Sequence, residues 1–265
     1  PKLFDQLFIV HARKKNVYVP QVYCLIKGSS VASYRHPLQK LKTLLPAGYS
    51  PCTVYVDFEQ AIHAAVRNVW PSADIQGCRF HLGQAWFRHI QQFGLTKMYK
   101  AASAEGSFLR AFFGLSFLDP SVIEDYFLEE FCMNEPDGND IHKFSTYVHD
   151  TYISSTARFP PALWTKYSCS INRTTNACES LHSKLNNMFY QAHPNVYILV
   201  DALIEIQERA YTKMLSVNTK KQRKASSDKE KFISDTMNDY ESGRISTTEY
   251  VKNISRKLLP QKLKR

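Results

Sequence analysis

The sequence predicts a mixed α/β fold interrupted by an all-helical insertion and closed by a helical C-terminal tail. Three observations carry that expectation. Two runs rich in Val, Ile, Tyr and Phe open the chain and alternate as strands do. A short apolar run, Thr53-Val54-Tyr55-Val56, leads straight into Asp57, the pattern of a buried strand ending in a carboxylate. From Lys97 to about Thr165 the apolar spacing is helical throughout. The 265 residues suffice for one large domain or two small ones, and 44% hydrophobic with 13% aromatic residues excludes a disordered chain.

Taken in order, Gln6 to Ala12 and Val17 to Ile26 are expected as strands, with Arg13-Lys14-Lys15-Asn16 as the hairpin turn. Pro20 cannot donate to a ladder, so the second strand is expected to bulge there or to run along an edge. Ser29 or Ser30 can cap a helix carrying Leu38, Leu41, Leu44 and Leu45, with Pro37 either kinking that helix or marking its start. After the strand at 53–57, Ala61, Ile62, Ala65, Val66 and Val69 recur at helical spacing until Pro71. Asp74 to Phe80 reads as a short strand, and His81 to Phe93 as a helix closed by Gly94. All four strands are expected in one mixed sheet.

The insertion holds the clusters Phe108/Phe112/Phe113 and Tyr126/Phe127/Phe131, with a loop at Asp137 to Asp140. A helix is expected from Asn172 and another from Val196 to Leu215. Two tail helices follow, opened by the capping boxes Ser227/Glu230 and Ser246/Glu249 and separated by Gly243. The domain reading is therefore a core over 1–96, an insertion over 97–165, closing core helices over 166–215 and a basic tail over 216–265.

No run approaches the roughly 18 apolar residues that span a bilayer. The opening PKLFDQLFIV has no secretory pattern and reads as the middle of a strand, so a longer parent protein is expected. The cysteines, Cys24, Cys52, Cys78, Cys132, Cys169 and Cys178, show no repeating spacing and read as reduced thiols. The net charge of +10 is uneven: Lys213 to Arg265 holds 14 basic and 6 acidic residues, whereas the first 212 residues hold 20 and 18. A near-neutral body with a basic tail suits a partner bearing phosphates, and Lys220, Lys221, Arg223 and Lys224 are the candidate contacts. A solvated helical face explains the same charges.

Two acids are candidates for chemistry. Asp57 stands at a strand end, where open α/β sheets place their ligands, although an Asp there also serves as an ordinary helix cap. Glu179 falls in the second turn of a helix capped by Thr174 or Thr175, close to the face made by Leu181, Leu185, Met188 and Phe189. An exposed helical Glu is the plain alternative. Paired carboxylates that meet hold divalent metals roughly 3.5–4 Å apart, and hard oxygen ligands select Mg²⁺ or Mn²⁺. Cys78 and His81 form a Cys-x-x-His followed by His89, one ligand short of tetrahedral zinc. They read as supporting residues, or as a buried thiol beside a hydrogen-bonded ring.

The stretch from Asp57 to Leu95 resembles the core of the Mutator-like (MULE) transposase domain, in which a strand-end Asp-Phe-Glu precedes a Cys-x-x-His and a Gln-rich helix. The segments PPALW, NRTTNACESLHSKLN and HPNVYILVDAL strengthen the likeness, as does the opening QLFIVHARKKNVYVPQVYCLI. The resemblance spans most of residues 1–215. It implies an RNase H-like mixed sheet with a helical insertion and an Asp-Asp-Glu triad in which Asp57 is the second acid and Glu179 the third. The first acid would lie upstream of this chain, since Asp5 stands in the wrong place for it. Implied with the family are a two-metal Mg²⁺ or Mn²⁺ site, cleavage and strand transfer at element ends, double-stranded DNA at the terminal repeats as partner, a homodimer as one assembly, and the nucleus. A domesticated, catalytically silent DNA-binding descendant is the alternative, and an unrelated RNase H-like nuclease is the third reading.

Overall fold

The computed structural model describes residues 3–14, 17–165, 181, 185, 187–189, 194–216 and 224–258. The chain divides into two compact units, one of residues 1–75 with 174–222, the other of 76–173 with 223–265.

In the first unit, β1 (Gln6–Lys14) and β2 (Val17–Ile26) pair antiparallel, with Gln6 opposite Ile26 and Val10 opposite Val22. His11 then faces Pro20, so the register slips by one residue beside Gln21. This is the bulge that Pro20 predicts, because a residue without an N–H cannot hold its rung. Helix α1 (Val31–Leu44) starts at Ser30, whose Oγ accepts the Ser33 N–H at 3.1 Å. Pro37 sits within α1 and does not end it. Strand β3 (Thr53–Val56) leads to α2 (Gln60–Val69), whose buried Ile62, Ala65, Val66 and Val69 form one stripe at helical spacing. This stripe faces α1, and the Lys42 ammonium on α1 donates to the Val69 carbonyl at 2.8 Å.

Strand β4 (Asp74–Gly77), whose first two residues belong to this unit, pairs with β3, and the Asp74 N–H donates to the Cys52 carbonyl at 2.9 Å. Among the described residues the strands therefore form two separate two-stranded sheets, not the single mixed sheet expected. The nine rungs of β1 are taken up by β2, while β3 and β4 are four residues each and bond to one another.

A second core of this unit is built by α8 (Val196–Ser216), which lies on β2. Its Leu199, Ala202, Leu203 and Ile206 are buried with Leu185 against Leu7, Tyr23, Leu25, Leu181, Met188 and Phe189. Leu181, Leu185, Met188 and Phe189 thus share one core with Leu7, Tyr23 and Leu25 of the hairpin, in keeping with the face their spacing predicts. Each large aliphatic side chain buried there contributes about 1.5–3 kcal/mol. The remainder of the expected helix from Asn172, including Glu179, lies outside the described residues.

The second unit is helical. Helix α3 (Arg79–Gln92) begins two residues earlier than expected, with Cys78 at its N-cap position. Strand β4 accordingly ends at Gly77 instead of Phe80. Gly94, at φ 72°, takes the left-handed conformation that closes the helix. There follow α4 (Thr96–Lys100), α5 (Ala104–Ala111), a 3₁₀ segment (Phe112–Phe117), α6 (Ile123–Tyr126) and α7 (Asn139–Val148). Both α6 and α7 run on into π turns, Phe127–Cys132 and His149–Ile153. Residues 97–165 contain no strand, as their spacing predicts. Trp86 of α3 is the hub, in edge contact with Phe112, Phe113, Tyr152 and Trp164 at 5.7–6.5 Å. The Trp164 indole N–H points at the Tyr152 and Phe159 carbonyls, each at 3.0 Å.

Two tail helices complete this unit, α9 (Lys224–Glu241) and α10 (Thr247–Leu258). Helix α9 starts three residues before Ser227, so the Ser227/Glu230 pair does not open it. The second capping box forms as expected: the Ser246 N–H donates to Glu249 at 2.9 Å and the Glu249 N–H to Ser246 Oγ at 3.2 Å. Helix α10 buries Tyr250, Val251 and Ile254 against α5 and the 3₁₀ segment, and the Tyr250 hydroxyl donates to the Phe117 carbonyl at 3.2 Å. Residues 224–258 carry seven basic and six acidic residues, so the excess positive charge of the tail falls almost wholly elsewhere in it. Lys220, Lys221 and Arg223 lie outside the described residues, as does the side chain of Lys224.

Candidate metal-binding acids at the end of strand β3

Strand β3 ends at the buried Val56, and Asp57 is the next residue, half-buried where the chain leaves the ladder. Its Oδ1 is withdrawn from solvent and has no hydrogen-bond partner among the described residues. Asp57 is therefore not the cap of the following helix. The N-cap position of α2 belongs to Glu59, and no side chain caps that helix.

Around Asp57 the first unit gathers polar groups from three elements. The His63 imidazole, one turn into α2, lies with Nε2 2.7 Å from the Asp57 carbonyl oxygen. A carbonyl only accepts, so Nε2 carries the hydrogen. Burial holds the His63 pKa below its ordinary value, which keeps the ring neutral. The Glu59 carboxylate accepts from the buried Tyr34 hydroxyl of α1 at 2.9 Å. Gln6, at the start of β1, donates to the same hydroxyl at 3.1 Å and to the Gly28 carbonyl at 2.8 Å. Burial first, and then the negative charges of Glu59 and Asp57, push the Tyr34 pKa up to about 12. The hydroxyl thus remains a donor at any physiological pH. Asp5 is engaged elsewhere, its carboxylate accepting the Gly28 N–H at 2.7 Å in the turn after the hairpin.

Glu59, Tyr34 and Gln6 escape a sequence reading focused on Asp57 and Glu179. The Asp-Phe-Glu spelling contains a signal for Glu59. Nothing local singles out Tyr34 or Gln6, because only the packing of α1 beside β2 brings them to the end of β3.

Cys78 and His81 lie in the second unit, on the first turn of α3. Cys78 is fully buried, and its side chain makes no capping bond. His81 is half-buried with its ring edge-on to Phe80 at 6.0 Å. His89, the third residue of that pattern, stacks on Tyr147 at 3.6 Å and donates from Nδ1 to the Ala85 carbonyl at 3.0 Å. Among the described residues no three His, Cys, Asp or Glu side chains gather as a metal site. No helix among them is long and apolar enough to cross a membrane.

Compared with curated proteins and with solved structures, the chain finds no match. The family profile described as the MULE transposase domain matches residues 3–85. That span covers the β1–β2 hairpin, α1, β3 with Asp57, α2, β4, Cys78 and His81. Over residues 3–85, then, this chain is similar to the MULE transposase domain.

Proposed function

We propose that the chain is part of the catalytic domain of a Mutator-like cut-and-paste DNA transposase, cleaving and joining phosphodiesters at element ends with Mg²⁺ or Mn²⁺. The observation that carries this reading is the buried Oδ1 of Asp57, without a hydrogen-bond partner among the described residues, at a strand end inside the family-matched segment. A carboxylate oxygen shut away from water without a donor costs free energy unless a cation answers it. Hard oxygen donors suit Mg²⁺ or Mn²⁺ and not zinc.

The RNase H-like arrangement belongs to this proposal, with Asp57 as the second acid and Glu179 as the third. Its support is that Leu181 and Leu185, just beyond Glu179 in sequence, share a core with the hairpin's Leu7, Tyr23 and Leu25 within the unit that holds Asp57. Asp57 and Glu179 would hold the metal, which supplies charge neutralisation at the phosphate and a more acidic attacking hydroxyl. In the step itself an oxygen of water or of a 3′-hydroxyl bonds to phosphorus, the P–O3′ bond breaks, and the departing oxygen takes up a proton. Cys78 and His81 stand as supporting residues, without a complete zinc site. Lys220, Lys221, Arg223 and Lys224 contact the phosphates of double-stranded terminal repeats, and a protein acting on such DNA works in the nucleus.

The test uses the protein that carries this chain, incubated with Mg²⁺ or Mn²⁺ and DNA bearing the element's ends. Asp57→Asn and Glu179→Gln should each abolish nicking while binding persists. Normal cutting by both variants would overturn the reading. Tight binding without cutting by the unaltered protein would leave a domesticated DNA-binding descendant.

A further inference from the structure

We propose that Glu59 is an additional carboxylate of the metal site at Asp57, and that Tyr34, held by Gln6, is the residue that positions it. The inference rests on the reading of Asp57 as a metal-binding acid and adds residues that this reading does not contain.

Glu59 has the sequence position of a helix cap without the behaviour of one. Its backbone is extended (φ −107°, ψ 118°) at the N-cap of α2, the usual posture for capping, yet its side chain makes no capping bond. The carboxylate turns instead to Tyr34, and Oε2 accepts the hydroxyl proton at 2.9 Å. That proton has a competing acceptor, Gln6 Oε1, at 3.4 Å. The shorter contact to an ionised oxygen is the stronger one. The Gln6 amide then donates back to the hydroxyl at 3.1 Å and is itself anchored on the Gly28 carbonyl. Tyr34 is buried at 4% exposure and its ring is clasped edge-on by Phe8 at 5.5 Å, so the hydroxyl is a fixed donor on a rigid stem. Gln6, Tyr34 and Glu59 thus form a chain from β1 through α1 to the end of β3.

What that chain reaches is an acid two residues beyond Asp57, at the same strand end. Burial first, and then the charges of Glu59 and Asp57, raise the pKa of the Tyr34 hydroxyl. A carboxylate offers about four acceptor positions. Among the described residues Glu59 has one donor, the Tyr34 hydroxyl, and Asp57 Oδ1 has none. Carboxylate oxygens with so few hydrogen-bond donors at one strand end are the hard ligands a divalent cation takes. Fixing one carboxylate by a hydrogen bond from behind, with its remaining oxygen positions open, is how outer residues orient metal ligands.

The probe is Mn²⁺ binding to the full chain, read from the loss of the free-ion paramagnetic resonance signal, beside unfolding without metal. The unaltered chain should take up Mn²⁺, and Asp57→Asn should lose it. Glu59→Gln keeps the shape and still accepts from Tyr34, and it should weaken binding by about 10-fold or more. Tyr34→Phe should weaken binding several-fold, with the bound-ion spectrum altered, while Glu59→Asp recovers part of the affinity lost in Glu59→Gln. A purely structural Tyr34 would lower the unfolding temperature and leave Mn²⁺ affinity and spectrum unchanged, which overturns its positioning role. Wild-type affinity in Glu59→Gln, with Asp57→Asn still dead, overturns the inference and leaves the Asp57 reading standing. Wild-type affinity in Asp57→Asn, or no uptake by the unaltered chain, overturns both.

Discussion

Asp57→Asn should invert the order of stability between metal-free and metal-loaded protein. In the absence of metal the wild-type Oδ1 is a buried acceptor without a donor among the described residues. Such a group costs about 1–3 kcal/mol, more when charged. The amide has nearly the same volume and no charge, so the metal-free variant should be as stable as the wild type or more stable by up to that amount. Metal reverses the comparison. At a concentration of ~100 times its Kd, a ligand that binds only the folded state adds about 2.7 kcal/mol. For a protein of this size each kcal/mol moves Tm by roughly 2–4 °C, so the wild type should gain roughly 5–10 °C with Mg²⁺ or Mn²⁺. The variant should gain almost nothing. Thermal unfolding followed by circular dichroism, with and without metal, measures all four states. The reasoning fails if the variant is stabilised by metal as much as the wild type. It fails equally if Asp57→Asn loses more than about 2 kcal/mol without metal, because Asp57 would then have a structural partner.

Other parts of the chain give sharp expectations. A Cβ added at Gly114 would overlap the Val251 carbonyl of α10, so Gly114→Ala should destabilise the second unit by about 1–3 kcal/mol and speed amide exchange in α10; unchanged exchange would show that this close approach is not needed. Replacing Lys220, Lys221 and Arg223 with Gln should flatten the dependence of log DNA affinity on log salt by roughly 2.7 units, at about 0.9 per phosphate contact. A slope that stays the same would return those residues to the role of a solvated surface. Because burial holds the His63 pKa below its ordinary 6.5, the unfolded chain takes up a proton first as pH falls. The stability that neutral His63 contributes is thus present above pH 6.5 and lost on acidification below it, which urea midpoints across that range should record. His63→Gln should flatten this part of the profile, and an identical profile in the variant would rule out His63 as its source.

The elements whose spacing was strongest in the sequence are those the structure reproduces. The hairpin with its Pro20 bulge, the stripe of α2 and the Leu185 face are each set by local periodicity and by one residue that cannot bond or must be buried. Where structure and local spacing differ, a competing local interaction prevails. Helix α3 captures Arg79 and Phe80 from the expected strand, and α9 starts before its candidate cap. The sheet divided into two because pairing between strands is a long-range choice that the pattern along one strand does not encode. The tail shows the same limit from the side of charge. Its composition suggested a basic appendage, yet α9 and α10 are nearly charge-balanced, and α10 sits in the helical unit with Tyr250 bonded to Phe117. Removing the whole tail would therefore strip the core of that unit along with any phosphate contacts, which is why point neutralisation of Lys220, Lys221 and Arg223 is the cleaner perturbation. The site divides likewise. Asp57 was legible because a polar residue directly after a buried strand is locally anomalous. Tyr34 and Gln6 were not, since a tyrosine in an amphipathic helix and a glutamine at a strand start are unremarkable until folding aims Tyr34 at Glu59 and Gln6 at Tyr34.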